Sequence, residues 1–356
     1  MSENTYFDEE KQHNTLLLRE QLKALPPFIN EFFLSIAQKN AVKTRLGYAR
    51  DLRVFFNYLL ENHGHFKDKV MSDITVSDLD IITPQDIDLF MEYISFYIKS
   101  SPDEDEKATE RTNDEKGKAR KLAALRAMYK YYIKRRKIEK NPAALVDSLK
   151  IHDKTITRLD FNEVADLLDE VEYGNDLTDR QKMYHEKLKT RDLAIVTLLV
   201  GTGIRVSECV GINIDDIDFD TNGVRITRKG GNQSTVYFGE EVEQALKDYL
   251  EERKNAETES PDEKALFLSS KGRRINVRSV QLLVKKYSSV SVKLKKITPH
   301  KLRSTYGSNL YQETGDIYLV ADVLGHSDVN TTRRHYAELK EERRRSAAKY
   351  IKLRND

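Results

Sequence analysis

The chain has 356 residues, of which 39% are hydrophobic and 33% charged, and its formal net charge at pH 7 is +2. This length predicts two domains, and this composition is typical of a helix-rich protein in water. The longest apolar run, Leu193 to Val200, is far shorter than the roughly 20 residues that a membrane-spanning helix needs. Cys209 is the only cysteine, which excludes an internal disulfide. Since no secretory signal is visible either, we expect a cytoplasmic protein.

The small net charge hides a strong segregation of charge along the chain. An acidic stretch, residues 101–115, has seven acids and two bases. The first basic block, residues 116–140, has eleven bases and one acid, and the second, residues 271–303, has eleven bases and no acid. The third basic block, residues 333–354, has nine bases and three acids. Three separate blocks favour a polyanionic partner over the alternative of a merely basic surface.

The first half of the chain predicts an extension over residues 1–25, mobile or loosely docked, and a helical domain over residues 26–148. Apolar side chains recur every three or four positions across residues 41–64, which predicts an amphipathic helix. A second helix is predicted at Thr83-Pro84, because threonine is a good cap and proline fits the first helical position. The acidic stretch is predicted to be a solvated loop. The first basic block then predicts a helix with one apolar side.

Residues 149–158 have little amphipathic pattern and are predicted to be the linker to a second domain over residues 159–356, where Asp160 is a candidate helix cap. The sequence GVRITRKGGNQSTVYF has two alternating runs around a Gly-Gly-Asn turn, which predicts a β-hairpin. The sequence ALFLSS is a candidate for one more strand. The predicted fold class is therefore mainly α, with an all-helical N-terminal domain and a mostly helical second domain that contains a small antiparallel sheet.

Two sequence clusters in the second domain supply cations suited to a phosphate. In GTGIRVSECVG, the glycines permit a sharp turn and Arg205 then begins a helix, where its planar guanidinium can bind two phosphate oxygens. Cys209, one turn later, is expected to be a small core residue. Lys229 lies at the predicted hairpin tip, where an ammonium can donate a proton to a leaving oxygen. Taken alone, each cation has a more ordinary interpretation as a surface charge.

Two further clusters follow. In ITPHKLRSTYG, Pro299 fits the first position of a helix, and His300 and Arg303 are three positions apart, so they share a face near a helix N-terminus. In LGHSDVNTTRRHYAELK, His326 follows a glycine, and Tyr336 lies in the second turn of the next predicted helix. By itself, such a tyrosine is more often a packing residue.

The combination is more specific than any single cluster. A hydroxyl that attacks a DNA phosphodiester needs cations for the nonbridging oxygens, an acid for the leaving oxygen and a base for the nucleophile. Two arginines, two histidines, a lysine and a tyrosine supply these groups without a metal. The sequence has no motif typical of a two-metal nuclease and no nucleotide-binding loop.

This ordered series resembles the catalytic set of the tyrosine recombinase family, the site-specific recombinases of bacteria and phages. TGIRVSE is similar to the first arginine motif of the family, the KG hairpin follows at the expected place, and TPHKLR is similar to its His-x-x-Arg box. LGHSDVNTT with the tyrosine after it is similar to the terminal box. The resemblance is strong from about Thr157 onward and weaker before it, where YARDLRVFFNYL is typical of the DNA-clamping domain.

The resemblance implies a role for each residue of the series. Tyr336 is the nucleophile and forms a 3′-phosphotyrosyl link. Arg205, Arg303 and His326 stabilise the transition state. Lys229 is the general acid for the 5′-oxygen, and His300 assists as proton acceptor. The partner duplex then attacks the link, so neither a metal nor ATP is required as a cofactor.

The sequence departs from the family pattern at two positions. Ser304 stands where many relatives have a second histidine, and Arg228 replaces the usual glycine before the hairpin lysine. Whether Lys229 or Arg228 faces the phosphate stays open at this point. His335, beside the tyrosine, has no assigned role and is expected to be an exposed helix residue.

The tail after Tyr336 implies a homo-oligomer, because in relatives such a C-terminal helix docks into a neighbouring protomer. A tetramer on two duplex DNA sites follows, with a DNA translocase or accessory factor as a further candidate partner. The competing interpretation is a basic tail lying on DNA. We expect Xer-like resolution of chromosome dimers. The alternatives are an integrase of a mobile element, a type IB topoisomerase and a non-catalytic DNA-binding protein.

Overall fold

The chain divides into two compact units, and the division lies between Asp153 and Lys154, within the predicted linker. The computed structural model describes residues 6–99, 109–147, 157–228, 230–255 and 264–325. None of the helices in these ranges is long and apolar enough to cross a bilayer.

The N-terminal unit consists mainly of helices. In its described part they are α1 (Tyr6–Lys23), α2 (Ile29–Ser35), α3 (Val42–Asn62), α4 (Pro84–Tyr93), α5 (Glu115–Lys134) and α6 (Pro142–Leu145). Two short strands, β1 (Phe96–Lys99) and β2 (Thr109–Thr112), pair antiparallel with Phe96 opposite Thr112. The expectation of an all-helical domain is therefore wrong in this detail. The acidic stretch is also more than a solvated loop, because it contains β2 and the start of α5.

Helices α3, α4 and α5 form where local sequence signals predict them. The apolar side chains that recur along α3 and α5 are all buried: Leu46, Ala49, Leu52, Phe56, Leu59, Leu122, Leu125, Met128, Tyr129 and Tyr132. At the start of α4, the Thr83 hydroxyl accepts from the Asp86 N–H, and the Asp86 carboxylate accepts from the Thr83 N–H at 2.8 Å. Pro84 takes the first helical position, as predicted.

The extension expected over residues 1–25 is a packed helix in its described part, so the expectation of loose docking is wrong. Leu18 of α1 is 4% exposed and belongs to the same hydrophobic core as the side chains of α3. The Lys43 ammonium lies 2.5 Å from the Glu10 carboxylate and adds an ion pair between the two helices. Burial of one leucine-rich side against α3 orders this segment.

The C-terminal unit is built around the long helix α8. Its described elements are α7 (Phe161–Tyr173), α8 (Asp179–Thr202), α9 (Val206–Val210), β3 (Ile217–Asp218), β4 (Gly223–Thr227), β5 (Gln233–Tyr237), α10 (Glu240–Arg253), α11 (Val277–Ser291), α12 (Pro299–Thr314) and α13 (Ile317–Leu324). Helix α8 packs against α7, α10 and α12. The side chain of Asp160 caps α7 by accepting from the Glu163 N–H, as the sequence predicts.

The small sheet has the order β3-β4-β5 and is antiparallel throughout. The predicted hairpin is confirmed, with Gly223 opposite Tyr237 and Thr227 opposite Gln233. The candidate strand in ALFLSS is wrong, because its residues make only isolated bridges, from Ala265 to Asn213 and from Leu268 to Arg274. The third strand is β3 instead.

A buried polar network joins α8 to α11. The Asp192 carboxylate accepts from the Arg191 guanidinium at 2.6 and 3.0 Å and from the Tyr287 hydroxyl at 2.9 Å. The Lys286 ammonium lies 3.4 Å from the same carboxylate. Since the Tyr287 proton is used on Asp192, the Tyr287 oxygen accepts from His185 Nδ1, which is 3.1 Å away. His185 Nε2 has no hydrogen-bond partner in the described part of the chain.

This network should make the stability of the C-terminal unit depend on pH. Burial, and then the charge of Lys286, lower the pKa of His185 below its ordinary value of 6.5. The unfolded chain therefore binds more protons than the folded protein below that pH, so the free energy of unfolding should decrease as the pH falls through about 6.5. Urea unfolding between about pH 8 and about pH 5 measures this slope.

The His185→Asn variant should have a flatter dependence, because asparagine keeps a donor near the position of Nδ1 but does not titrate. His13→Asn, at an exposed position of α1, is the matched control and should keep the wild-type slope. Equal slopes for all three proteins would contradict the assignment to His185.

Candidate active site

The turn between α8 and α9 places Arg205. Gly203 ends α8 in the left-handed conformation, with φ +64°. A Cβ at this position would lie 2.5 Å from Cδ1 of Tyr306 and 3.0 Å from Cδ2 of Leu324. Glycine therefore permits both the turn and its close packing against α12 and α13. The chain leaves the turn at Arg205, which is the N-cap of α9 as the sequence predicts.

Glu208 orients Arg205. This glutamate is 2% exposed and lies three residues after the arginine. Its carboxylate accepts from the Arg205 backbone N–H at 2.7 Å and from Arg205 Nη1 at 2.8 Å. This buried carboxylate thus both accepts from the N-cap residue of α9 and orients the Arg205 guanidinium. The Nη2 atom of Arg205 lies 3.4 Å from the Gly325 carbonyl oxygen.

Arg303 is almost fully buried and connects two turns. It is 4% exposed. Its Nη1 donates to the Gly203 carbonyl at 2.6 Å, and its Nη2 donates to the Leu324 carbonyl. Arg303 on α12 therefore fixes the α8–α9 turn to the end of α13.

Three arginines bind three consecutive carbonyls at the end of α13. Arg228 Nη2 donates to Val323 O at 3.0 Å, Arg303 donates to Leu324 O, and Arg205 Nη2 approaches Gly325 O. The C-terminus of a helix has a partial negative charge, which these cations offset. The structure thus brings Arg205 and Arg303 together at the turn that directly precedes His326.

His300 lies in the first turn of α12. Pro299 is at the first helical position, as predicted, but the Thr298 side chain makes no capping hydrogen bond. His300 is exposed whereas Arg303, one turn later, is buried. The His300 side chain is therefore accessible from solvent.

The other predicted site residues lie outside the described residues. They are Lys229, His326 and Tyr336, and His335, which has no assigned role, lies outside them too. The two strands that flank Lys229 are described, and so is the turn before His326. Cys209 is fully buried, and burial followed by the charge of Glu208 raises the pKa of its thiol to about 12. It is an unreactive core residue, as expected.

The basic blocks are less available to a polyanion than their charge counts indicate. Many of their cations bind partners within the protein. The partners are Asp51 for Arg120, the Val146 carbonyl for Arg126, Glu31 for Lys137, the Ile212 carbonyl for Arg274, Asp192 for Lys286 and Glu163 for Lys295. Exposed lysines remain around the loop between α11 and α12, at Lys285, Lys293 and Lys296. This loop leads directly into the helix that carries His300.

The sequence did not predict that Glu208 orients Arg205 or that Arg228 binds the end of α13. For Glu208 a signal is present, since a glutamate three residues after a helix start commonly bonds back to that start. For Arg228 the partner is a backbone carbonyl of a distant helix, and a carbonyl has no sequence signature.

The model of the phage integrase family matches residues 157–343. Tyrosine recombinase XerC of Caldanaerobacter subterraneus subsp. tengcongensis is 36% identical over 325 residues, which cover 89% of this chain and 84% of that protein. Tyrosine recombinase XerS of Lactococcus lactis subsp. cremoris is 29% identical, covering 88% of this chain and 92% of that protein.

Two solved structures share the fold at 20% identity. XerH site-specific recombinase bound to difH substrate, in a pre-cleavage complex, has a TM-score of 0.60 and covers 86% of this chain and 80% of that one. The Tn1549 transposon integrase in complex with circular intermediate DNA also has a TM-score of 0.60, covering 86% of this chain and 94% of that one. The family match and the relative at 36% identity, together with the convergence of Arg205 and Arg303, lead to one conclusion. The chain belongs to the phage integrase family and is a tyrosine recombinase, an enzyme of site-specific DNA recombination that cuts and rejoins DNA strands.

Proposed function

We propose that this recombinase is Xer-like and resolves chromosome dimers in the cytoplasm, with a site formed by Arg205, Lys229, His300, Arg303 and His326 around the nucleophile Tyr336. The main support for this site is that Arg205 and Arg303 both contact the turn immediately before His326. A phosphate near this turn would meet guanidinium donors whose positions are already fixed by Glu208 and by backbone carbonyls.

The chemistry follows from the groups present. Tyr336 Oη attacks the scissile phosphorus, and His300 accepts the phenol proton. The bond from phosphorus to the 5′-oxygen breaks, and the Lys229 ammonium gives that oxygen a proton. Arg205, Arg303 and His326 stabilise the negative charge on the nonbridging oxygens. In the second half of the reaction, the 5′-hydroxyl of the partner duplex attacks the phosphotyrosine, so the energy of the broken bond is retained.

The DNA-bound state is proposed to be a homo-tetramer on two duplex sites. Residues 26–148 and residues 159–356 each contribute a DNA-binding domain in this proposal. The basic residues left exposed on the C-terminal unit, among them Lys293 and Lys296, support contact with the DNA backbone. The Tn1549 integrase was solved in complex with circular intermediate DNA and XerH bound to difH substrate, which supports a DNA partner here.

An integrase of a mobile element is the second candidate. The Tn1549 integrase and XerH have the same TM-score of 0.60 to this chain, so the fold supports both functions equally. The 36% identity to a XerC protein, over most of both chains, favours the Xer-like role.

The test is recovery of covalently bound DNA. The protein is isolated from its own cells under denaturing conditions without a crosslinker, and the attached DNA is sequenced, with Tyr336→Phe as the control. A single chromosomal locus that is lost in the variant is the expected result. Recovery at the ends of a mobile element would make the protein an integrase. Equal recovery from both proteins would show that Tyr336 is not the nucleophile.

A further inference from the structure

Arg228 connects the hairpin of β4 and β5 to the end of α13. Its backbone N–H donates to Asn232 O at 2.8 Å and its carbonyl accepts from Gly231 N–H at 3.0 Å, so it closes the hairpin turn that contains Lys229. Its side chain leaves the hairpin. Nε donates to the Ser234 hydroxyl at 2.7 Å, and Nη2 donates to Val323 O at 3.0 Å, in the last turn of α13.

Gly325 lies in contact with this guanidinium. A Cβ added there would be 1.6 Å from Arg228 Nη1 and 2.4 Å from Cζ. Gly325 also has φ +60°, a conformation that favours glycine. The remaining guanidinium nitrogen of Arg228 thus faces the backbone of the α13 turn. All three nitrogens face the protein, so the guanidinium is held in one position.

We propose that Arg228 is a positioning residue for Lys229: it fixes the root of the hairpin to the turn that precedes His326, so that the general acid meets the 5′-oxygen. This inference rests on the proposed function, in which Lys229 gives its proton to the leaving oxygen. A displacement of about 1 Å at a reacting group can cost roughly 10²-fold in rate. Without the Arg228 contacts to α13, the end of β4 next to Lys229 is free to move by this amount.

A DNA substrate with a different leaving group can distinguish a positioning role of Arg228 from a role in folding, DNA binding or charge stabilisation. A 5′-bridging sulfur leaves as a thiolate, because the pKa of a thiol is about 8.5 and far below that of an alcohol. Cleavage of such a substrate needs little help from a general acid. A defect caused by a misplaced Lys229 should therefore be repaired by sulfur, whereas a defect in folding, DNA binding or charge stabilisation should persist.

The experiment compares single-turnover cleavage of two DNA substrates that differ only in the 5′-bridging atom. Arg228→Gln should be slowed by about 10²-fold with oxygen and by less than about 10-fold with sulfur. Lys229→Ala should show the same pattern more strongly. Ser234→Ala removes one anchor of the guanidinium and should show a smaller defect of the same kind. Arg225→Gln is the matched control, because Arg225 is an exposed arginine of β4 whose side chain pairs with Asp216.

The outcomes are distinct. Equal defects of Arg228→Gln on both substrates, or no defect on either, would overturn the positioning role while the wild type still forms its covalent adduct. If the wild type forms no adduct with either substrate, the proposed function fails, and the role of Arg228 with it.

Discussion

Replacing Arg205 with glutamine should slow DNA cleavage by about 10²- to 10³-fold, which is the usual cost of losing one donor to a developing oxyanion. The carboxylate of its partner Glu208 is 2% exposed, so the loss of Arg205 should also lower the free energy of unfolding, and cleavage is compared at a temperature where both proteins are folded. Single-turnover formation of the covalent adduct measures the rate. Arg205→Lys should recover only part of it, because an ammonium cannot bind Glu208 and two phosphate oxygens as a planar guanidinium does.

The control for this prediction is Arg225→Gln. It removes the same charge from the same domain, and should cleave at close to the wild-type rate. DNA affinity at fixed salt should fall more for Arg205→Gln than for Arg225→Gln, because only Arg205 is placed at a phosphate, so the rates are compared with the DNA fully bound. Cleavage by Arg205→Gln at the wild-type rate would exclude this arginine from the phosphate site.

Replacing Asp192 with alanine should destabilise the C-terminal unit by about 3–5 kcal/mol, which is typical for breaking a buried ion pair from one side. The carboxylate is 2% exposed, and its removal leaves the guanidinium of Arg191 and the ammonium of Lys286 without their buried counter-charge. Hydrogen exchange of peptides from α8 and α11 measures this unit separately from the rest of the chain. Their protection should fall by roughly 10²- to 10⁴-fold.

Asp216→Ala is the matched control. Asp216 also pairs with an arginine, at 2.9 Å, but the Arg225 side chain of this pair is 55% exposed. Such pairs contribute about 0–1 kcal/mol, so the exchange of the same peptides should change little. A similar loss of protection in both variants would show that the contribution of an ion pair to stability does not depend on its burial here.

The fold was predictable where its signals are local. The start of α4 follows from Thr83-Pro84, and the buried side of α5 follows from its periodicity, because both depend on residues within one or two helical turns. The docking of α1 was not predictable in this way, since the surface that covers Leu18 belongs to another helix. The pairing of β1 with β2 is also non-local, and the acids between the two strands suggested a loop instead.

The site was predictable as a set of residue types in order, but its geometry was not. The sequence places Arg205 at a helix start, as found, yet does not show that Glu208 holds it. The sequence placed His300 and Arg303 on one helix face, but it did not show that the Arg303 guanidinium is buried against two backbone carbonyls. Counting charges in a sequence overlooks acceptors that every residue has. The basic blocks also overstated the number of cations free to meet DNA, because several of these cations bind carboxylates or carbonyls elsewhere in the chain.

The three arginines at the end of α13 bind main-chain oxygens, which has a consequence for how this turn can vary. A carbonyl is present whatever side chain its residue has, so exchanging Val323, which is half-exposed, leaves the acceptor of Arg228 in place. Leu324 is restricted by burial to apolar residues. Gly325 is restricted both by its backbone conformation and by the guanidinium against it. Tolerance to substitution should therefore fall from Val323 to Gly325. Most substitutions of Val323 should leave the turn intact, whereas a side chain at position 325 should disrupt it.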